Sequence, residues 1–167
     1  MNRKIRFTLY SILAILLLAA AYFFWNSSGD EEKIRKSLVS LASLAAKPAE
    51  ASPAELAVKI RILQTIFAEQ IIIDFGSRKL SGNYSPRSLE PMMVNFRKHF
   101  TSSKCSAGNI EINIAGERAD AVFSCTFKGT TNKGEVIEEV KDVNCRLVKH
   151  EQKWYIESIS INDILER

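Results

Sequence analysis

The sequence predicts an α+β domain, with helices in its first part and an antiparallel sheet in its second. Between residues 30 and 100, apolar residues recur every three or four positions, which is the period of amphipathic helices. From residue 109 onward, apolar and polar residues alternate, which is the period of strands with one buried face. Because the two periods are segregated along the chain, we expect three helices packed on a curved, four-stranded antiparallel sheet.

The first two helices have recognisable ends. Asp30 can cap the first helix, and Pro48 ends it because proline disfavours helix at the residue before it. Ser52 and Glu55 have the spacing of a capping box, and Pro53 between them suits the first turn of a helix. The second helix is therefore expected to start at Pro53, after a short connection.

The sequence is ambiguous about where the second helix ends and where the third begins. The second helix leads into residues 71–75, an isoleucine-rich run that could instead be a short strand because it is β-branched. Ser85 and Pro86 open a third helix, whose apolar side includes Phe96. Pro91 lacks an amide hydrogen, so regular helix is expected only from that residue onward.

The four expected strands are joined by short polar turns, two of which contain glycine. In the last strand, Trp154 and Ile156 have one parity, whereas Ile159 and Ile161 have the other. A β-bulge near residues 157–158 would bring both pairs onto the same face of the sheet.

An uncharged apolar segment precedes the domain. Its 19 residues are close to the roughly 20 that a helix needs to span a bilayer. Basic residues lie before it and acidic residues after it, which predicts a single-pass inner-membrane protein with its C-terminal domain in the periplasm. The predicted organisation is a cytoplasmic basic tip (1–6), a transmembrane signal-anchor (7–25), a linker (26–29) and an exported domain (30–167).

Cleavage of this segment is the alternative. Ala21 and the small residues before it resemble a signal-peptidase site, and cutting there would release a secreted or periplasmic protein. Tyr22 and Trp25 favour retention, because amphipathic rings settle at the headgroup level of a span. Without Arg3, Lys4 and Arg6 the chain has 20 basic and 19 acidic residues, so its basicity is not a nucleic-acid footprint.

The order of elements and the ending "KWYIESISIND" resemble the nuclear transport factor 2-like superfamily, which has a cone-shaped, cystatin-like fold. The resemblance covers residues 30–167 and implies a domain whose helices and sheet enclose a cone. Members of that superfamily include isomerases, cyclases, dehydratases and non-catalytic domains. The single-span inner-membrane component of type IV secretion machines is similar in layout. Fold alone does not fix function.

Three polar residues are candidates for catalysis. Asp74 interrupts an apolar run and could point into the cone, where Tyr84 and His99 could join it for proton transfer. The alternatives are that Asp74 faces water or caps the next turn, and that His99 complements a helix C-terminus. No nucleophile or phosphate-loop motif accompanies them.

Six aromatic residues fall on faces expected to point inward. They could line a pocket for a hydrophobic ligand, or they could simply fill the core. They are Phe67, Phe96, Phe100, Phe123, Phe127 and Trp154.

The three cysteines lie in the sheet half of the chain. An exported compartment permits oxidation, and an odd number allows one internal bridge at most. Cys105 with Cys125 is the pairing we expect, because Cys105 stands just before the first strand of that hairpin. The alternative is that Cys125 and Cys145 are buried hydrophobic residues. No metal site is expected, because the cysteines are about twenty residues apart without paired ligands.

The sequence therefore predicts a membrane-anchored, extracytoplasmic interaction or scaffold domain of a bacterial envelope assembly. It predicts no enzyme activity and no cofactor. The expected partners are the membrane and either another envelope protein or a second copy of the chain, with no nucleic acid. A carrier or sensor of a small hydrophobic ligand is the alternative, followed by an isomerase- or dehydratase-like enzyme.

Overall fold

A computed structural model describes residues 29–76 and 81–162. The chain divides into two units, residues 1–32 and 33–167, and the domain belongs to the second. Among the described residues, none of the helices is both long and apolar enough to cross a bilayer. The predicted anchor (7–25), the basic tip (1–6) and the cleavage position at Ala21 lie outside the described residues.

The described ranges contain three helices and six strands. Residues 29–44 are helical (α1), and the remaining elements follow in chain order. They are α2 (Pro53–Ile66), β1 (Phe67–Asp74), β2 (Gly82–Tyr84), α3 (Pro86–Lys98), β3 (Phe100–Ala115), β4 (Arg118–Thr131), β5 (Val136–His150) and β6 (Lys153–Asn162). The α+β class is confirmed, with helices and strands largely segregated along the chain.

The prediction of four strands is wrong, because one sheet contains six, in the order β2-β1-β6-β5-β4-β3. β1 runs parallel to β6 and antiparallel to β2, and every other neighbouring pair is antiparallel. The second helix stops at Ile66, and residues 67–74 are extended. β-branched residues favour that conformation, and Ile71 and Ile73 are buried while Ile72 between them is exposed.

Two predicted helix starts also differ from the structure. Gly29 is already helical, so Asp30 lies inside α1 and does not cap it. α3 begins at Pro86 rather than Pro91, because Ser85 and Ser88 form a reciprocal capping box. Pro91 sits inside that helix, so a good cap outweighs one missing amide donor. The cap of α2 by Ser52 is as predicted.

Two of the register shifts in the sheet keep its apolar side chains on one face. In β6 the register against β5 shifts so that Glu157 is unpaired, which is the predicted bulge. It lets Trp154, Ile156 and Ile159 all be buried. In β3 a second shift lies next to Asn109, whose positive φ of 50° asparagine tolerates.

The core lies between this face and the helices. Its largest fully buried side chains come from both layers, which shows that the two layers share one apolar interior. They are Ile34 and Leu38 of α1, Ile71 of β1, Leu147 of β5, and Trp154 and Ile156 of β6.

Candidate functional site

A buried arginine joins three helices at one end of the core. Arg97, near the end of α3, is only 5% exposed. Its guanidinium donates hydrogen bonds to the carbonyl oxygens of Leu44, at 3.4 Å, and of Ala46, and to Oε2 of Glu55. Leu44 ends α1 and Glu55 lies in the first turn of α2, so one side chain ties all three helices.

The start of β3 is attached to the same place. Lys47 and Ser103 exchange backbone hydrogen bonds of 2.9 and 2.8 Å, and the Ser103 hydroxyl donates to the carbonyl oxygen of Ala45. The Lys47 ammonium donates to the carbonyl oxygen of Phe100, at 2.6 Å. These bonds satisfy backbone groups where α1 ends, so the polar side chains here are engaged in holding the chain.

Glu55 is not fully satisfied within this cluster. Its Oε1 atom is buried and accepts no hydrogen bond from the described residues. Partial burial lowers the pKa of Lys59, one turn along α2, while the Glu55 carboxylate opposes that shift and the Arg97 charge reinforces it. The pKa of Lys59 therefore responds to both members of the Arg97–Glu55 pair. We call this pair, together with the carbonyl oxygens that Arg97 contacts, the helix tie.

Next to the helix tie lies a cluster of three aromatic rings, Phe96, Phe100 and Phe127, which we call the aromatic patch. Their ring centroids are 5.1 to 5.5 Å apart, and the rings are tilted or edge-on. Phe96 is 40% exposed, whereas Phe100 is buried beneath it. Such contacts hold the rings in place, so the exposed ring is a rigid apolar feature.

Gly129 makes room for this patch. A Cβ atom at that position would lie 2.7 Å from the Phe100 ring and 2.9 Å from the Phe127 ring. Ser103 lies opposite Gly129 in β3, so the glycine sits between the patch and the attachment of β3. The patch therefore depends on a residue without a side chain.

The six aromatic candidates for a pocket divide into two groups. Phe67, Phe123 and Trp154 are buried in the core, whereas the other three form the aromatic patch. Trp154 is 2% exposed, and its indole N–H has no acceptor within the described part of the chain. The six side chains thus do not form one continuous lining.

The three catalytic candidates lie at opposite edges of the sheet. Asp74 and Tyr84 belong to the edge made by β1 and β2, whereas His99 directly precedes β3 at the other edge. Asp74 is exposed, and its Oδ1 accepts hydrogen bonds from the Gly76 amide (2.9 Å) and the Ser81 hydroxyl (2.8 Å). These bonds lower the pKa of Asp74 and close the turn after β1.

His99 and Tyr84 have local roles in the structure. His99 is the exposed C-cap residue of α3, with Nδ1 2.7 Å from the Asn95 carbonyl oxygen. Tyr84 is half-buried in β2, opposite Ile71. Tyr84 therefore lies on the strand that pairs with the strand of Asp74, whereas His99 precedes β3, at the other end of the strand order.

The thiols of Cys105 and Cys125 face each other across β3 and β4. Their Sγ atoms are 3.1 Å apart, and both side chains are half-buried. The hydrogen bond between the two thiols, followed by burial, raises the pKa of Cys105, and the same hydrogen bond lowers the pKa of Cys125. Cys145 is buried on the core face, and burial raises its pKa to about 12. Within the described residues, no cluster of His, Cys, Asp and Glu could hold a metal ion.

Sequence reasoning missed the helix tie and Gly129. Leu89, Met93 and Arg97 follow one another at spacings of four and are the buried residues of α3, whereas Phe96 is displaced toward solvent. The sequence held two signals: an arginine that continues the apolar stripe of α3, and a glutamate in the first turn of α2. The glycine requirement depends on the packing of rings from separate elements, which no local pattern encodes.

Known proteins resemble this chain in structure rather than in sequence. No family model and no curated protein sequence matches it. Among solved structures, a nuclear transport factor 2-like superfamily protein from Salmonella enterica has a TM-score of 0.64 at 12% identity, covering 84% of this chain and 94% of its own. A hexachlorocyclohexane dehydrochlorinase, LinA, from Novosphingobium barchaimii has a TM-score of 0.67 at 8% identity, covering 83% and 88%.

A Mycobacterium tuberculosis protein of unknown function also has this fold, with a TM-score of 0.63 at 10% identity, covering 83% of this chain and 73% of its own. At such low identities the likeness shows the fold alone. The described domain has the nuclear transport factor 2-like fold, as its order of elements predicted. Proteins with this fold include enzymes as well as proteins of unknown function.

Proposed function

We propose that this chain is a membrane-anchored, extracytoplasmic domain that acts by binding another protein of a bacterial envelope assembly. The observation that carries the proposal is the aromatic patch, in which an exposed Phe96 ring is held rigidly over two further rings. Rigid aromatic side chains are the residues that most often anchor protein interfaces, because they contribute large contact area at little entropic cost.

The use of these buried polar side chains supports binding rather than catalysis. Arg97 and Ser103 are bonded to carboxylate and backbone groups that fasten helices and β3. Asp74 and His99, the residues with catalytic potential, are exposed and belong to segments at opposite ends of the strand order. A proton-transfer site would need such groups within reach of one substrate.

The proposed location rests on the sequence before the domain. Three basic residues precede an uncharged segment, and acidic residues follow it, which favours export of the domain with retention of the anchor. An anchored domain would meet its partner at the membrane, so that partner would be another envelope protein. A second copy of this chain is the other possible partner.

A second candidate, a carrier or sensor of a small apolar ligand, is favoured by Trp154. Its indole N–H is buried and finds no acceptor among the residues that the structure describes, although buried donors are normally paired. A ligand with one carbonyl or hydroxyl oxygen in an otherwise apolar body would satisfy that donor. An enzyme resembling the dehydrochlorinase remains a third candidate on fold analogy alone.

Photocrosslinking in intact membranes tests the binding proposal. The full-length chain would carry a photoreactive phenylalanine analogue at position 96, and a matched variant would carry it at Val122, which is 43% exposed on the other face of the sheet. We expect a discrete adduct at position 96 and none at Val122. An adduct of twice the chain mass would identify self-association, and a larger or smaller one an envelope partner.

Equal labelling at both positions, or none at position 96, would contradict the proposal. Protease added to intact spheroplasts tests the location in the same cells. We expect digestion of the domain without lysis, whereas protection until lysis would contradict export.

A further inference from the structure

We propose that Cys105 and Cys125 form a reversible thiol–disulfide exchange site that accepts a small-molecule disulfide, with Cys125 as the attacking thiol and Cys105 as the resolving one. The inference is independent of the binding function proposed above. It rests on the contact between the two thiols, on their accessibility and on the different side chains that face each of them.

The two thiols are already within reach of each other. The Sγ atoms are 3.1 Å apart, although the residues are diagonal neighbours, since Cys105 pairs with Phe127 and Cys125 pairs with Ala107. Both strands are fixed by a long antiparallel ladder, so the contact does not depend on a flexible loop. Bond formation between the sulfurs therefore needs a small local adjustment.

The site is also open to a reactant. Both side chains are half-buried rather than enclosed, and Cys105 lies in β3, the last strand in the sheet order. Cys145 on β5 lies on the same face of the sheet and provides the contrast, because it is buried. A dissolved disulfide can approach the pair and cannot approach Cys145 without unfolding.

The surroundings distinguish the two sulfurs. Lys141 lies directly opposite Cys125 in β5, on the same face, and a cation there favours a thiolate on Cys125. Glu139 lies within 4.0 Å of the Lys141 ammonium and moderates that charge. The side chain opposite Cys105 is the Phe127 ring, which offers an anion no support. The shared S–H, which lowers the pKa of Cys125, acts in the same direction.

The exchange balances as follows. The Cys125 thiolate attacks one sulfur of the small disulfide, whose S–S bond breaks and releases one small thiolate. Cys105 then loses its proton and attacks Cys125 Sγ in the mixed disulfide, which releases the second small thiolate. The two cysteines are oxidised to one disulfide, the small disulfide is reduced to two thiols, and the protons of Cys105 and Cys125 end on those thiols.

Reaction of the reduced full-length chain with oxidised glutathione, followed by acid quenching, alkylation and peptide mass spectrometry, tests the proposal. We expect wild type to form a Cys105–Cys125 bond while Cys145 stays reduced, and dithiothreitol to reverse it. A Cys145→Ser variant should behave identically. Persistent glutathione adducts without a bridge, or labelling of Cys145 at a similar rate, would overturn the proposal.

Single variants test the assignment of roles. Cys105→Ser should trap glutathione on Cys125, whereas Cys125→Ser should form its adduct on Cys105 at least about tenfold more slowly, since rate follows thiolate fraction. Lys141→Gln keeps both thiols and should slow the first step without preventing the bridge. Faster labelling of Cys105 than of Cys125, in variants with unchanged circular dichroism, would reverse the roles and contradict the inference.

Discussion

The helix tie makes Arg97→Met the substitution that we expect to destabilise the domain most specifically. Methionine keeps most of the apolar stem but removes the guanidinium, which leaves the partly buried Glu55 carboxylate without its partner. The carbonyl oxygens of Leu44 and Ala46 lose their donor in the same step. Glu55 Oε1 accepts no hydrogen bond from the described residues, so after the substitution Lys59, one turn along α2, is left as the nearby cation.

Removing one partner of a buried ion pair costs about 3–5 kcal/mol in general. With a urea dependence of about 1–2 kcal/mol per molar for a domain of this size, the midpoint should fall by about 1.5 M or more. Urea unfolding of the full chain, followed by circular dichroism, measures this shift directly. A double variant that also carries Glu55→Leu should recover part of the loss, because no uncompensated carboxylate remains.

The matched control is Arg146→Met. Arg146 pairs with Asp120 at 3.4 Å, but both side chains are exposed, so the change should cost less than about 1 kcal/mol. If Arg97→Met were no more destabilising than Arg146→Met, the buried pair would contribute nothing and the reasoning would be refuted. A double variant no more stable than Arg97→Met alone would show that the charge of Glu55 is not the cause.

Three further predictions follow from individual contacts. Gly129→Ala should lower the free energy of unfolding, measured in urea, by about 1–3 kcal/mol, because the new Cβ would overlap two phenylalanine rings. Gly108→Ala is the control and should cost less, because the nearest atom to its Cβ is a hydroxyl oxygen 3.7 Å away. Burial raises the pKa of Cys145 to about 12, so in the folded chain it should react with iodoacetamide at pH 8 about a thousandfold more slowly than in the chain unfolded in urea, and equal rates would contradict this. The stability that this buried thiol contributes should be lost as the pH rises from 9 to 12. The lowered pKa of Asp74 stabilises the folded state above the carboxyl's ordinary pKa. Asp74→Asn should therefore be less stable than wild type at pH 7, and the difference should shrink as the pH falls below that ordinary pKa; a pH-independent difference would refute this cause.

The sequence predicted the features that depend on local pattern. Ser52 caps α2, and the change of parity between Trp154 and Ile159 required the bulge that the structure has at Glu157. The order of helices and strands was sufficient to suggest the fold. Each of these features is decided by neighbouring residues and by which face is buried, so periodicity contains the information.

The remaining features depend on contacts between distant segments. Residues 67–74 were ambiguous because helix and strand periods cannot be separated in a short apolar run, and pairing with β6 decided the outcome. Asp74 interrupts that run at the strand end, where its hydrogen bonds form a turn rather than a site in the interior. Phe96 was expected on the buried side of α3, but the position of Arg97 in the core turned it toward solvent.

Native mass spectrometry of the full-length chain, extracted from its own membrane in mild detergent, tests the central proposal most directly. A single spectrum reports whether residues 1–25 are retained, whether another protein is bound and whether a small molecule is present. We predict the mass of the intact chain in complex with a second polypeptide, and loss of that complex in a Phe96→Ser variant that stays folded. A monomer shortened near Ala21 and carrying a small apolar molecule would contradict the account and favour the carrier.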